Sequence, residues 1–313
     1  MAGYGDYVAQ LQKLAFDSST SLGWSQRTHA ALNGEAALEL RRVIALKTRR
    51  RYGAFFTGSK LANKFISYCP AFPANVVVHD PSVGGGDLLL AAAASLPLEK
   101  TLIETLTKWG QQLTGTDLHL EFVLAAKSRL ILAARLRHGL ETKGVDSATK
   151  YFPGIRVADG LAEHKSFASA THLFLNPPFG VVEAPADCKW AGGKITAAAF
   201  FVVSALERAQ PGTQLLAILP DVLRSGSFTA HWRRRIEELA EVQLVKPYGV
   251  FDESADVDVF LLRVVRREGK PTGRPFHWTR TLTPKKKSVG HFFGVHVGRV
   301  VPHRDPEDGP EHP

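Results

Sequence analysis

Hydrophobic residues along the chain follow two different periodicities, and these divide it into two regions. Residues 1–50 place apolar side chains three or four positions apart, a spacing typical of amphipathic helices. The apolar positions are Tyr7, Leu11, Leu14, Ala37, Leu40, Ile44 and Leu46, and a Ser/Thr/Gly stretch at 18–28 interrupts them. From Asn75 onward, short β-branched runs alternate with longer helical segments. We therefore predict a helical N-terminal preface over 1–50 and an α/β domain over 51–267.

The α/β region contains the pattern of a sheet covered by helices. The predicted strands are 75–79, 112–117, 154–159, 171–175, 213–219, 241–247 and 257–265. The predicted helices begin at Asp87, span His119 to about Arg137, span about Lys194 to Ala209, and lie near Phe228 to Ala240. Strands that alternate with helices imply a mostly parallel sheet with helices on both faces. The last two strands should be antiparallel, because the segment 248–256 between them is too short for a crossover helix.

Basic residues are concentrated in two segments of a chain whose formal net charge is +9. The segment from Arg263 to Arg304 contains eleven Lys or Arg residues and one acid, Glu268, while RRVIALKTRRR (41–51) contains six and no acid. Both segments can contact phosphate groups, which indicates a polyanionic partner such as DNA. The alternative is a solvated basic tail over 268–313 and an ordinary charged helix face.

The sequence contains no segment typical of membrane insertion or export. No uncharged run reaches the roughly 18 to 20 residues that span a bilayer, and the start of the chain lacks the layout of a signal peptide. We therefore expect a cytoplasmic protein without a membrane partner. Cys69 and Cys188 are isolated and lack C-x-x-C spacing, so we expect two reduced thiols and no metal site.

Three predicted strands end in an acidic residue, at the edge where open α/β sheets bind their ligands. Asp80 follows the first strand, and Asp117 and Asp159 end the second and third. The glycines at 84–86 permit a tight turn that a ligand can approach closely, and a carboxylate at Asp117 can accept hydrogen bonds from ribose hydroxyls. Each acid alone is often a helix N-cap, but three at successive strand ends favour a ligand site.

The fourth strand ends in NPPFG (176–180), a turn that presents polar groups on a rigid backbone. Two consecutive prolines cannot donate to a sheet, so the strand must stop there. Asn176 and Pro177 supply two oxygen acceptors, and Phe179 supplies a flat apolar face. These groups suit a planar base that carries an exocyclic amine, although an ordinary Pro-Pro turn is the structural alternative.

The order of these motifs makes residues 40–266 resemble the S-adenosylmethionine-dependent DNA adenine-N6 methyltransferases. The similar group includes type I modification subunits and the methylase parts of fused type II enzymes. GAFFTGSKLANKF (53–65), DPSVGGGDLL (80–89), NPPFG and the closing KPYGVFDESADVDVFLLRV (246–264) carry the resemblance. It implies a Rossmann-like class I methyltransferase fold with a mostly parallel seven-stranded sheet and an antiparallel terminal hairpin.

The resemblance also implies roles for individual residues and S-adenosylmethionine as the cofactor. The implied cofactor-binding residues are Phe55, Phe56, Thr57, Asp80, Pro81, Gly84, Gly86, Asp117, Leu118, Asp159, Gly160 and Asn176. The implied catalytic residues are Asn176, Pro177, Pro178 and Phe179. The implied reaction is methyl transfer to N6 of a flipped adenine in DNA, by the modification subunit of a restriction-modification or defence system.

Other acceptors remain open at this point. RNA bases and protein glutamine also present a planar nitrogen to such a turn, and a non-catalytic methylase-like subunit that binds nucleic acid is a further alternative. Methylation of cytosine C5 is disfavoured, because neither Cys69 nor Cys188 lies in the Pro-Cys setting that this chemistry uses.

A separate partner is expected to choose the DNA site. Relatives of this kind read DNA with a separate large domain, whereas about 47 residues follow the last predicted strand at Arg266. VGHFFGVHVGRVVP (289–302) is similar to the opening of that domain in fused relatives, which suggests that a specificity subunit supplies the rest. The alternative is a basic tail that only contacts phosphates.

Overall fold

The fold was analysed in a computed structural model that describes most of the chain. The described residues are 3–17, 22–53, 55–139, 148–162, 164–251, 257–269 and 276–278. The predicted basic tail falls almost entirely outside them, as does the whole of 289–302.

A seven-stranded sheet forms the centre of the described structure, and a two-stranded hairpin lies apart from it. The strands are β1 (Val78–Asp80), β2 (Leu113–Asp117), β3 (Ile155–Val157), β4 (His172–Leu175), β5 (Val181–Glu183), β6 (Lys194–Thr196), β7 (Gln214–Pro220), β8 (Ala240–Val250) and β9 (Asp258–Arg266). The large sheet has the order β3-β2-β1-β4-β7-β9-β8, and β5 pairs with β6. Its first five strands are parallel, while β9 is antiparallel to both β7 and β8. The predicted mostly parallel sheet with an antiparallel terminal hairpin is confirmed.

Helices cover the sheet and form the N-terminal region. They are α1 (Tyr4–Phe16), α2 (Leu22–Ala30), α3 (Ala36–Val43), α4 (Leu46–Tyr52), α5 (Gly58–Ile66), α6 (Asp87–Ser95), α7 (Leu102–Gln112), α8 (Leu120–Arg137), α9 (Ala148–Tyr151), α10 (His164–Ser169), α11 (Ala197–Arg208), α12 (Val222–Ser225) and α13 (Ala230–Leu239). A π-helical turn with a kink joins α2 to α3 at Ala31–Glu35, and a 3₁₀ turn at Ser227–Thr229 precedes α13. No helix within the described ranges is long and apolar enough to cross a bilayer.

Several predicted boundaries are wrong, each for a local reason. The break predicted at 18–28 is too long, because α2 already begins at Leu22. The helix predicted from Lys194 begins at Ala197, since Lys194–Thr196 pairs with Val181–Glu183 as a strand. Three-residue strands are too short to show an alternating pattern, so periodicity could not reveal this hairpin.

Helix α7 was not predicted, although its N-terminus carries a recognisable signal. Thr101 and Glu104 form a capping box, in which the backbone NH of Glu104 donates to Thr101 Oγ1 at 3.2 Å and that of Thr101 donates to Glu104 Oε2 at 3.0 Å. A threonine followed three residues later by a glutamate is the sequence pattern of this cap.

The N-terminal helices share one hydrophobic core with the sheet. Tyr4, Leu11 and Leu40 are buried in the same cluster as Val78 of β1. Arg135 of α8 also holds α1 in place, since its Nη1 atom donates to Ala15 O at 2.7 Å. The preface is therefore packed directly against the layer that carries the strand ends.

Candidate active site

A cleft lies at the carboxyl ends of β1, β2, β3 and β4. Parallel strands deliver their carboxyl ends to one edge of a sheet, which is why residues far apart in sequence meet here. The predicted residues that line it are Phe55, Phe56, Thr57, Asp80, Pro81, Gly84, Asp117, Leu118, Asp159, Asn176 and Pro178. The motifs of the sequence thus form one continuous surface.

The glycine loop after β1 is held by the acid at the end of β2. Gly84 has a φ of +49° and donates its backbone NH to Asp117 Oδ2 at 3.0 Å. The other carboxylate oxygen of Asp117 accepts the backbone NH of His119 at 3.0 Å. A Cβ atom at Gly84 would lie 3.1 Å from the ring of Phe56, so the turn also needs the small residue for space. Asp117 therefore shapes the loop as well as facing the cleft.

Burial changes the acidity of two carboxyl groups in the cleft. Asp80 is 2% exposed, and burial raises its pKa to about 8, against the opposing effect of a hydrogen bond from the backbone NH of Ser82. Burial also raises the pKa of Asp117, although two backbone NH groups stabilise its charged form. A cationic ligand in this cleft would favour the ionised forms.

The side chain of Asn176 is oriented by the segment that precedes α5. Its Nδ2 atom donates to Thr57 Oγ1 at 2.9 Å and to Phe55 O at 3.3 Å. Because the amino end of the amide is held in this way, Oδ1 is the end left to accept a hydrogen bond from a ligand. Asn176 is half-buried and lines the cleft.

The rest of the NPPFG turn is held by close packing. Gly53 has a φ of +63°, and a Cβ atom there would lie 2.3 Å from Pro178 Cβ. The ring of Phe179 packs edge-on against Phe251, with 5.5 Å between the ring centroids. Thr196, the last residue of β6, donates from Oγ1 to Phe179 O at 3.0 Å. These contacts make the turn rigid before any ligand binds.

Four predicted site residues do not line the cleft. They are Gly86, Gly160, Pro177 and Phe179. Gly86 and Gly160 instead allow close packing, since a Cβ atom at Gly160 would lie 1.9 Å from Pro81 O and one at Gly86 would lie 2.9 Å from Ala126 Cβ. Pro177 is buried within the turn, and Phe179 is half-buried.

A buried ion pair beneath the glycine loop was not predicted. Arg129 of α8 is fully buried, and its Nη1 atom lies 2.9 Å from Asp87 Oδ1. The same guanidinium also donates to Gly85 O and, at 2.8 Å, to Ala31 O. Asp87 Oδ2 accepts the backbone NH of Gly58 at 2.9 Å. A lone arginine in a helix usually faces solvent, so nothing in the local sequence marked it.

Aromatic side chains extend the wall of the cleft toward the N-terminal helices. The rings of Phe56 and Phe122, which both line the cleft, are 5.0 Å apart. Tyr4 of α1 packs against both, at 6.0 Å from Phe56 and 5.5 Å from Phe122. The preface therefore supports one wall of the cleft. Gly85 of the predicted glycine turn also lines the cleft, and the other lining residues, which were not predicted, are Gly53, Ser82, Val83, Asp87, Leu88, His119, Ala158 and Phe201.

The fold of this chain is similar to parts of solved proteins from restriction-modification systems. A modification subunit from Vibrio vulnificus is 16% identical with a TM-score of 0.51, and the match covers 76% of this chain and 49% of that one. The type IIG restriction endonuclease BpuSI is 19% identical, with a TM-score of 0.52 and coverages of 76% and 28%. MmeI, a type IIL restriction-modification enzyme solved with DNA, is 14% identical, with a TM-score of 0.58 and coverages of 76% and 40%.

These similarities show the fold, and the chain spans half or less of the length of each of these three proteins. No protein-family profile matches the sequence, and no curated protein sequence is similar to it. Within the described residues, no group of three or more His, Cys, Asp or Glu side chains is placed to hold a metal ion.

Proposed function

We propose that this chain transfers a methyl group from S-adenosylmethionine to N6 of adenine in DNA, as the modification component of a restriction-modification or defence system. The observation that carries the proposal is the orientation of Asn176, whose amide nitrogen is held by Thr57 and Phe55. The held amide directs an acceptor oxygen into a cleft at the carboxyl edge of the sheet. The arrangement suits a ligand that donates hydrogen bonds from a planar amine.

The chemistry follows from the electronic structure of the acceptor. The lone pair of adenine N6 is delocalised into the ring, so the amine is a poor nucleophile. Hydrogen bonds from N6 to Asn176 Oδ1 and Pro177 O would concentrate electron density on the nitrogen and strengthen as positive charge develops there. Such a base must first leave the duplex, and stacking on Phe179 would offset part of that cost.

The residues present suit S-adenosylmethionine as the cofactor. When bound, it supplies an electrophilic methyl group on a sulfonium centre. Asp117 already accepts two backbone NH groups, yet a carboxylate has about four acceptor positions, so it can also accept ribose hydroxyls. Phe56 supplies apolar surface beside the glycine loop, and Asp159, whose Oδ1 accepts the backbone NH of Leu161 at 2.9 Å, lies on the same wall.

The proposal includes a separate specificity partner. It is supported by the similarity of 289–302 to the opening of a DNA recognition domain, a segment that lies outside the described residues. We expect the chain alone to methylate duplex DNA weakly and with little site preference. Adding the protein products of neighbouring genes should then restore selective methylation, and efficient site-specific methylation by the chain alone would argue against a partner.

The test is incubation of the chain with labelled S-adenosylmethionine and, separately, genomic DNA, RNA and protein, followed by nucleoside and amino-acid analysis. We expect label in N6-methyladenine from DNA, and its loss in Asn176→Ala while calorimetry still detects cofactor binding. Phe179→Ala should weaken DNA methylation more than Phe179→Trp. Label in RNA or in glutamine would replace the proposed substrate, and cofactor binding without any transfer would indicate a non-catalytic subunit.

A further inference from the structure

The side chain of one phenylalanine, in the segment between β7 and α13, is almost fully exposed. Phe228 is 98% exposed, and no other aromatic side chain among the described residues is exposed to a comparable degree. Exposing a large aromatic side chain forgoes about 1.5 to 3 kcal/mol of hydrophobic stabilisation. Isolated exposed apolar residues are common, so the exposure is informative only together with the structure that presents the ring.

Hydrogen bonds from a single arginine hold the backbone around Phe228 in place. Arg233 Nη1 donates to Leu223 O at 3.1 Å, to Gly226 O at 2.9 Å and to Thr229 Oγ1 at 2.8 Å. Thr229 is itself buried, although its neighbour Phe228 is not. We call residues 221–229 the Phe228 pedestal. Because this backbone is already ordered, little backbone entropy is lost when the ring binds.

The base of the pedestal is fixed to the sheet and tightly folded. Asp221 N donates to Asp258 O at 2.8 Å, which ties the start of the segment to β9. The carboxylate of Asp221 pairs with Arg224, with Nε to Oδ1 at 2.6 Å and Nη2 to Oδ2 at 3.0 Å. A Cβ atom at Gly226 would lie 2.6 Å from Val222 O, so the turn requires a glycine.

The pedestal lies at the same edge of the sheet as the candidate active site. It follows β7, which pairs in parallel with β4, the strand that delivers Asn176. Trp232, one helical turn after Phe228, donates from Nε1 to Ala199 O at 3.1 Å. At the start of that same helix α11, Ala197 N donates to Gly180 O at 2.7 Å, directly after the NPPF residues. Two hydrogen bonds and one turn of helix thus connect the pedestal to the catalytic turn.

We propose that Phe228 inserts between the bases of DNA beside the adenine that enters the active site. This inference rests on the proposed function and adds a binding role that none of the sequence motifs indicated. Proteins that bend or open DNA use apolar side chains as wedges between base steps. When a base leaves the duplex, its neighbours lose their stacking partner, and an aromatic ring in the gap would replace part of that stacking.

The surroundings of Phe228 favour DNA over an apolar protein partner. Helix α13, which begins two residues after it, carries three consecutive arginines at 233–235. Arg233 donates to the pedestal and Arg235 pairs with Glu207 and Glu238, so Arg234 is the arginine placed to contact a phosphate. His231 and Arg234 are exposed. An aromatic ring beside an exposed arginine combines a stacking surface with a phosphate contact, the combination that nucleic-acid grooves use.

The test compares the full chain and its variants on two fluorescein-labelled duplexes of identical sequence, one fully paired and one with an abasic gap. The gap offers a site for the ring without the cost of unpairing a base. We expect wild type to bind the gapped duplex about tenfold more tightly, within the range for one base–aromatic stack. Phe228→Ala should lose this preference. The matched control is Leu98→Ala, which removes an exposed apolar side chain between α6 and α7, at the opposite edge of the sheet.

Phe228→Trp provides a direct optical readout that does not depend on catalysis. Four of the five native tryptophans are buried, and the signal of the half-buried Trp190 is removed by subtracting the wild-type spectrum. Insertion should quench the emission of the new tryptophan and protect it from acrylamide, most strongly on the gapped duplex.

Three outcomes would overturn the inference, each in a different way. If the variants bind both duplexes like wild type and the new tryptophan stays accessible, Phe228 does not insert, although N6-methyladenine formed by the wild type would leave the proposed function intact. If the emission changes only when a partner protein is added, the ring is a protein contact instead. A wild-type chain that binds no DNA and methylates only RNA or glutamine would overturn both proposals.

Discussion

The side-chain nitrogen of Asn176 donates to Thr57 Oγ1 at 2.9 Å, across 119 positions of sequence. An amide can be turned end for end with little change in shape, and its two ends have opposite hydrogen-bonding roles. Thr57 and the carbonyl of Phe55 accept from the nitrogen and so leave the oxygen for a ligand. The segment before α5 therefore orients Asn176 as well as lining the cleft.

Thr57→Val should slow methyl transfer about tenfold while the cofactor affinity stays within about twofold. Valine keeps the shape of threonine but cannot accept the hydrogen bond that orients Asn176. The loss of this hydrogen bond costs about 1 kcal/mol. Single-turnover kinetics and calorimetry would measure the two quantities. Thr57→Ser, which keeps the hydroxyl, is the matched control. An equal loss in both variants would show that the methyl group matters instead.

Asp117→Ala should weaken S-adenosylmethionine binding by about 1 to 3 kcal/mol, measured by calorimetric titration. The substitution removes an acceptor for ribose and also releases the backbone NH of Gly84, so the glycine loop loses its support. Glu99→Ala, at an exposed acid between α6 and α7, is the control and should bind normally. Unchanged affinity in Asp117→Ala would exclude its proposed role.

Arg129→Met should lower the free energy of unfolding by about 3 to 5 kcal/mol, because Asp87 would remain as a buried carboxylate without its partner. Urea denaturation would measure the loss. The double variant Arg129→Met/Asp87→Asn should recover part of it, since the uncompensated charge is then removed. Arg42→Met breaks the exposed pair with Glu39 and should have no measurable effect. Equal stability of Arg129→Met and wild type would contradict the buried pair.

Asp80 should make the ligand-free protein lose stability as the pH rises. Burial raises its pKa from the ordinary carboxyl value of 3.8 to about 8. Between these two pH values the folded state keeps a proton on Asp80 that the unfolded state has lost. The stabilisation from this proton is complete below about pH 4 and is lost as the pH rises through about 8. Relative to Asp80→Asn, which cannot ionise, the free energy of unfolding of the wild type should fall by on the order of a few kcal/mol across this pH range. Parallel stability curves for the two proteins would contradict the prediction.

The sequence alone determined the architecture and the position of the main site residues. Alternating strands and helices fix the carboxyl ends of parallel strands at one edge, so Asp80, Asp117, Asp159 and Asn176 had to lie near each other. Two prolines after β4 predicted the rigid turn for an equally local reason, since neither can donate to a sheet. These inferences needed only periodicity and the chemistry of single residues.

Only the tertiary structure decided which groups touch. Arg129 donates to Ala31 O, 98 positions away in the sequence, and also to the glycine loop, while the partner of Asn176 comes from another segment entirely. Such pairs depend on how the helices pack. Helical periodicity shows which face of a helix is buried, but it does not show which residues contact that face. The exposure of Phe228 could not be predicted either, because an aromatic residue at the start of a predicted helix is normally expected in the core.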